Sequence, residues 1–218
     1  MRRLTLFTVP VVILTAHRFS STSPLFYPKD PNQSTMADET ATPTVPNVPT
    51  NPASVYDFTV LDNKKQPYDL KQHAGKAVYF MNVASKCGYT KSGYEAATEL
   101  FDKYGKGENA KFTVIAFPCN QFGGQEPGTE AEITEFACSK FKADYPIMAK
   151  VDVNGDKEAP VYNYLKHQQK GILGTTSIKW NFTGFLTDTN GIPINRYSPG
   201  AKASEIEKDL LKVIGDTK

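Results

Sequence analysis

Read for hydrophobic and polar positions, the chain settles into regular patterns from about residue 53. Residues 55–61 alternate and are rich in β-formers. Asp62, Asn63, Lys64 and Lys65 then turn the chain back into residues 66–70, which predicts a β-hairpin. Residues 77–83 form an apolar run interrupted only by Asn82, the pattern of a buried strand. A helix follows from about residue 91 to 104, with Tyr94, Ala97, Phe101 and Tyr104 on one face. Residues 111–117 are a second buried strand. Strand, helix and strand with short links predict a right-handed crossover between parallel strands. Thr129 and Glu132 form a capping box for a helix to about residue 141, with Ile133, Phe136 and Ala137 as its apolar face and Cys138 beside them. Residues 147–153 read as a strand, and residues 160–166 as a short helix with proline near its start. Residues 182–187 and 192–197 read as an antiparallel pair around the turn at Asp188, Thr189, Asn190 and Gly191. Ser204 and Glu207 are expected to cap a last helix whose Ile206, Leu210 and Ile214 recur every four residues. No internal repeat is visible.

Taken together, a βαβ unit is followed by a ββα unit. That order predicts an α/β protein of thioredoxin-like architecture, a mixed central sheet flanked by helices, with an N-terminal β-hairpin. Both strand ends of the βαβ unit emerge at one carboxyl edge of the sheet, where open α/β sheets place their sites.

Before residue 53 the chain changes character. Residues 1–23 contain Arg2, Arg3 and Arg18, many hydroxyl residues and no acid, the composition of a mitochondrial presequence, with a processing-like Arg18-Phe19-Ser20. A secretory signal is the rival reading, because residues 4–16 can serve as a short apolar core; Pro10 and the length speak against a membrane span. Met36 offers an alternative start and a cytoplasmic form. Residues 24–52, rich in proline and polar residues, are expected to be a disordered linker. The folded domain is expected over residues 53–218. Asn32 and Asn181 begin Asn-x-Ser/Thr sequences.

The net charge of +2 gives no reason to invoke nucleic acid or an acidic partner. Three cysteines in 218 residues make no disulfide scaffold. Cys87, Cys119 and Cys138 form no CxxC pair, and His17, His73 and His167 stand in no ligand-like spacing with them, so neither a metal nor another cofactor is expected.

Reactive chemistry enters at the end of the first buried strand. Cys87 falls in the turn between that strand and the following helix. A thiol there lies near the positive end of the helix dipole and beside Lys86 and Lys91, surroundings that favour the thiolate. The glycine-rich stretch 123–128 lacks the Lys-Ser/Thr of a phosphate loop and is not read as nucleotide binding.

Three ordered motifs then carry a family resemblance across almost all of the folded region. Asn82-Val83-Ala84-Ser85-Lys86-Cys87-Gly88, Phe117-Pro118-Cys119-Asn120-Gln121-Phe122 and Trp180-Asn181-Phe182 resemble the signatures of the glutathione peroxidase family. The stretches 141–150 and 196–201 look most like its tryparedoxin-dependent members in trypanosomatids, then the thioredoxin-dependent members of plants. The resemblance implies that Cys87 is the peroxidatic residue, in the place that holds selenocysteine in some animal members, with Gln121, Trp180 and Asn181 completing a tetrad. It implies a thiol peroxidase acting on hydrogen peroxide and on organic or lipid hydroperoxides. Cys138 matches the position of the resolving cysteine, with Cys119 as the other candidate. Cysteines form a disulfide only when their Cα atoms come within about 7 Å, so the helix bearing Cys138 is expected to unwind in part. The implied reductant is a thioredoxin or tryparedoxin, with glutathione a poor donor. The compact connection before Trp180 lacks the insertion of tetrameric animal members and implies a monomer with an open pocket. A redox sensor or relay that uses the same residues is the alternative function, and a noncatalytic thioredoxin-like binding module a third.

Overall fold

The structure, a computed structural model, describes residues 48–215. The segment 1–23, the linker as far as residue 47, Asn32 and Met36 lie outside the described residues. The expected N-terminal hairpin is present as β1 (Thr59–Leu61) and β2 (Pro67–Asp69). A four-stranded sheet follows, built from β3 (Ala77–Val83), β4 (Phe112–Pro118), β5 (Gly184–Thr187) and β6 (Pro193–Tyr197) in the order β4-β3-β5-β6. The helices are α1 (Thr90–Tyr104), α2 (Glu130–Phe141), α3 (Pro160–Gln168) and α4 (Ala203–Ile214). β3 and β4 pair in parallel from Ala77↔Phe112 to Val83↔Pro118, with α1 as the crossover. β5 and β6 add antiparallel. The sheet is therefore mixed, as the pattern predicts.

The predominantly apolar runs of β3 and β4 are explained by burial of every position on both faces. Because side chains alternate along a strand, Ala77, Tyr79, Met81 and Val83 join Tyr94, Ala97 and Leu100 of α1 and Ile206 and Leu210 of α4 in one core. Val78 and Phe80 face the other way, into a core with Phe117, Tyr162, Leu165 and Phe185. Each of these large side chains, removed from water, contributes roughly 1.5–3 kcal/mol.

Four expectations need correction. Residues 55–61 are not one strand: Asp57 accepts from the Ser54 backbone and Ser54 from Tyr56, which closes a 3-10 turn at Val55–Asp57 before β1 begins. Residues 147–153 form isolated bridges instead of a strand, because Met148 bonds Ala116 of β4 while Ala149 already bonds Leu61 of β1. The partner changes before a ladder can build. The last pair begins at Gly184 and not at residue 182, since Phe182 has a left-handed φ of 63° that strands exclude. Ser204 lies inside α4; its first turn is capped by Glu205, which accepts from the Lys202 N–H at 3.0 Å. The Thr129 and Glu132 capping box of α2 forms as predicted.

Candidate active site

β3 ends at Val83, and the chain turns through residues 84–89 before α1 begins. Thr90 fastens this turn. Its hydroxyl donates to the Ala84 carbonyl at 2.7 Å and accepts from the Cys87 N–H at 3.0 Å, while its own N–H bonds the Cys87 carbonyl. Cys87 is thereby held at the carboxyl edge of the sheet and is 9% exposed. The Tyr89 N–H donates to the Cys87 sulfur at 3.5 Å. Lys91 pairs with Glu95 along the exposed face of α1.

Trp180 and Asn181 arrive on the segment before β5. Asn181 is wholly buried, which removes it as a glycan acceptor. Its side-chain amide donates to Gln125 Oε1 at 3.0 Å, while its Oδ1 is enclosed without a partner. Trp180 is 39% exposed and stands 6.0 Å from the Phe122 ring. Asn82, the polar interruption in β3, receives the Thr183 N–H on its Oδ1 and donates to the Trp180 carbonyl.

The glutamine that meets this cluster is Gln125, four residues beyond the one picked out from the motif. Gly123 and Gly124 both take positive φ, 68° and 62°, a curl that residues with a Cβ rarely adopt. The chain returns to the Cys87 turn, where the Gln125 carbonyl accepts from the Lys86 N–H at 3.0 Å. Gln125 thus joins the turn of Cys87 through its backbone and Asn181 through its side chain. Gln121 points its amide elsewhere: Oε1 accepts from Val153 and Asn154, and Nε2 donates to the Asn154 carbonyl at 2.8 Å. The signal for Gln125 lay in the glycine pair just before it, inside the stretch set aside for lacking phosphate-binding residues.

Beside Gln125, Glu126 is fully enclosed with both carboxylate oxygens unpartnered. Burial raises its pKa, against the opposing pull of nearby Ser85, Lys150 and Lys86. A cavity of about 430 Å³ separates the Cys87 turn from α2, lined by Ser85, Lys86, Glu126, Gly128, Ile133 and Phe136.

The three cysteines are free and differ in setting. Cys119 is wholly buried in the core with Phe117 and Tyr162, and burial pushes its thiol up. Cys138 is exposed in the last turn of α2, where its thiol donates to the Ala143 carbonyl at 3.4 Å. Of the predicted set, Trp180 and Asn181 are tied to β3 through Asn82 and to the turn of Cys87 through Gln125. Gln121 is turned away, and Cys138 is on α2.

The chain is similar to known proteins in sequence and in fold. A family model described as glutathione peroxidase matches residues 55–166. The Arabidopsis thaliana protein named probable phospholipid hydroperoxide glutathione peroxidase 6, mitochondrial, is 52% identical over 166 residues, 76% of this chain and 70% of that one. The crystal structure of T. cruzi GPX1 is 50% identical, with a TM-score of 0.61 over 76% of this chain and 99% of that one. A thioredoxin-family thiol:disulfide interchange protein of Chlorobium tepidum, only 14% identical, matches with a TM-score of 0.53 over 77% of this chain and all of that one, a likeness of fold.

Proposed function

We propose the following chemistry for this chain, which belongs to the glutathione peroxidase family: it is a thiol peroxidase whose nucleophile is Cys87. The observation that carries the assignment is the Cys87 thiol, held at the sheet edge by Thr90 with a backbone N–H on its sulfur. The thiolate attacks one oxygen of a hydroperoxide. An S–O bond forms, the O–O bond breaks, and sulfur gives up two electrons. The leaving alkoxide or hydroxide takes a proton and departs as alcohol or water. Hydrogen-bond donors that resist oxidation are suited to stabilise that developing charge. Trp180 and Asn181 fill this role, and the Asn181 bond to Gln125 favours Gln125 over Gln121 as the third donor.

Cys138 then attacks the Cys87 sulfenic acid, an S–S bond forms and water leaves. Cys138 lies in a formed helix, so α2 opens in part for this step, and the exposed disulfide is exchanged by a dithiol of the thioredoxin or tryparedoxin kind. Glutathione is a poor donor. Substrates include hydrogen peroxide and organic or lipid hydroperoxides. We assign the catalytic unit to residues 53–218, following a mitochondrial targeting segment at 1–23 and a linker at 24–52.

Mixing reduced protein with stoichiometric hydrogen peroxide, quenching and mapping thiols by mass spectrometry tests the scheme. A Cys87–Cys138 disulfide is expected in wild type, with sulfenic or overoxidised Cys87 in Cys138→Ser. In steady state, a thioredoxin system is expected to sustain turnover at least about tenfold faster than glutathione. Reduced Cys87 after peroxide treatment overturns the assignment; oxidised Cys87 with reduced Cys138 overturns only the resolving step.

A further inference from the structure

The loop that carries Trp180 and Asn181 has no ladder of its own until β5 begins at Gly184. What holds it is a set of side chains from other parts of the chain. At its entrance, Asn154 faces the backbone of Ile178 as a second strand would. The Asn154 amide donates to the Ile178 carbonyl at 2.9 Å, and the Ile178 N–H donates to Asn154 Oδ1 at 2.9 Å. Asn154 is itself fixed from behind. Gln121 bonds Val153 and Asn154 through three backbone contacts of 2.8–3.0 Å. The buried Lys166 ammonium, which also pairs with Glu158, reaches the Val153 carbonyl at 2.8 Å.

At the loop's exit the second anchor is Asn82. Besides its bonds to Trp180 and Thr183, its carbonyl accepts from the Phe182 N–H at 2.6 Å. The left-handed turn at Phe182 directs its ring onto α1 at Gly93, where a Cβ would sit 2.2 Å from the ring. Only glycine leaves room there. Asn82 is fully buried in an otherwise apolar strand, a place where a polar side chain is tolerated only with its bonds satisfied.

We propose that Asn82 and Asn154, with Gln121 behind Asn154, are positioning residues that clamp the two ends of the Trp180 and Asn181 loop against the sheet edge bearing Cys87. The proposal rests on the reading of Trp180 and Asn181 as donors to the reaction. In it, Gln121 touches no reacting atom and acts through the 153–154 backbone. Misplacement of a donor by an ångström can cost about a hundredfold in rate, so the clamp sets the rate of peroxide attack without taking part in it.

Trp180 is the sole tryptophan of the chain, and its emission reports the loop directly. The test compares wild type, Asn154→Ala, Gln121→Ala and Asn154→Asp, with both alanine changes placed outside the sheet core. Two quantities are read on the reduced full-length protein: acrylamide quenching of Trp180, and the single-turnover rate of Cys87 oxidation by hydrogen peroxide. Asn154→Ala is expected to oxidise about tenfold or more slowly with increased quenching, Gln121→Ala to change in the same direction by several-fold, and Asn154→Asp, which keeps the acceptor for Ile178, to recover part of both. Wild-type rates in both alanine variants overturn the clamp. Slow oxidation with unchanged quenching also overturns it, because the residues would then act on the chemistry and not on the loop. Trp180→Phe, run alongside, keeps the two readings apart: a wild-type rate there sinks Trp180 as a donor, whatever the clamp variants show.

Discussion

An enclosed carboxylate opposes folding, and Glu126, wholly buried beside the Cys87 turn, is such a group. Its proton is held to higher pH in the folded protein than its ordinary value near 4.5. Between those two values the folded state binds more protons than the unfolded chain, so stability falls as pH rises through the window and stays lower above it. Glu126→Gln is accordingly expected to raise stability at pH 7 by about 1–2 kcal/mol, an advantage that shrinks toward zero below about pH 4.5. Urea unfolding across that range measures it, and an equal advantage at every pH would contradict the assignment. At this scale the candidate site was legible where its residues are local in sequence. Cys87 is marked by the strand-to-helix turn, and Trp180 with Asn181 by a compact motif. The choice between Gln121 and Gln125 was not readable, because it depends on the curl at Gly123 and Gly124 and on which backbone each amide meets. The meaning of Asn82 was hidden for a similar reason: its partners lie about a hundred residues away.

Among the elements, α2 is the capped helix that carries the proposed resolving residue, Cys138. Its start is fixed by the Thr129 and Glu132 box and its end by Lys142 in the left-handed region, with φ 54°. If the helix opens for Cys138 to reach Cys87, weakening its cap must speed that step. Thr129→Ala removes a cap worth about 1 kcal/mol and is expected to accelerate disulfide formation, after Cys87 has been oxidised, by about fivefold. Rapid-quench thiol mapping gives the rate; an unchanged rate would mean that the helix does not limit the step. The sequence revealed this element through its capping box and apolar face, while it misread residues 147–153. Periodicity reports which side chains are buried, and that segment is buried without a constant partner.

At the scale of the whole molecule, among the described residues, the β4 edge of the sheet is bridged and the β6 edge begins with a proline. β4 is bridged by the segment around Ile147, and the Val151 N–H bonds Pro118 at its end. β6 opens with Pro193, and its Arg196 side chain reaches back to the carbonyls of Thr176 and Ser177. A sheet with covered or proline-blunted edges offers little for a second chain to pair with. The protein is expected to sediment as a single species near its chain mass of 24.1 kDa at micromolar concentration, and a concentration-dependent dimer would refute that expectation. The layered fold was legible as a whole because continuous apolar strands and one-faced helices admit few arrangements. The strand β3 carries a further consequence. It holds the Asn82 anchor within its length and delivers Cys87 four residues past its end. A thermal displacement of this strand moves the Cys87 turn and the Trp180 segment together, so the offset common to both cancels in their separation. Warming then blurs the position of the site within the domain far more than it blurs the spacing inside the site.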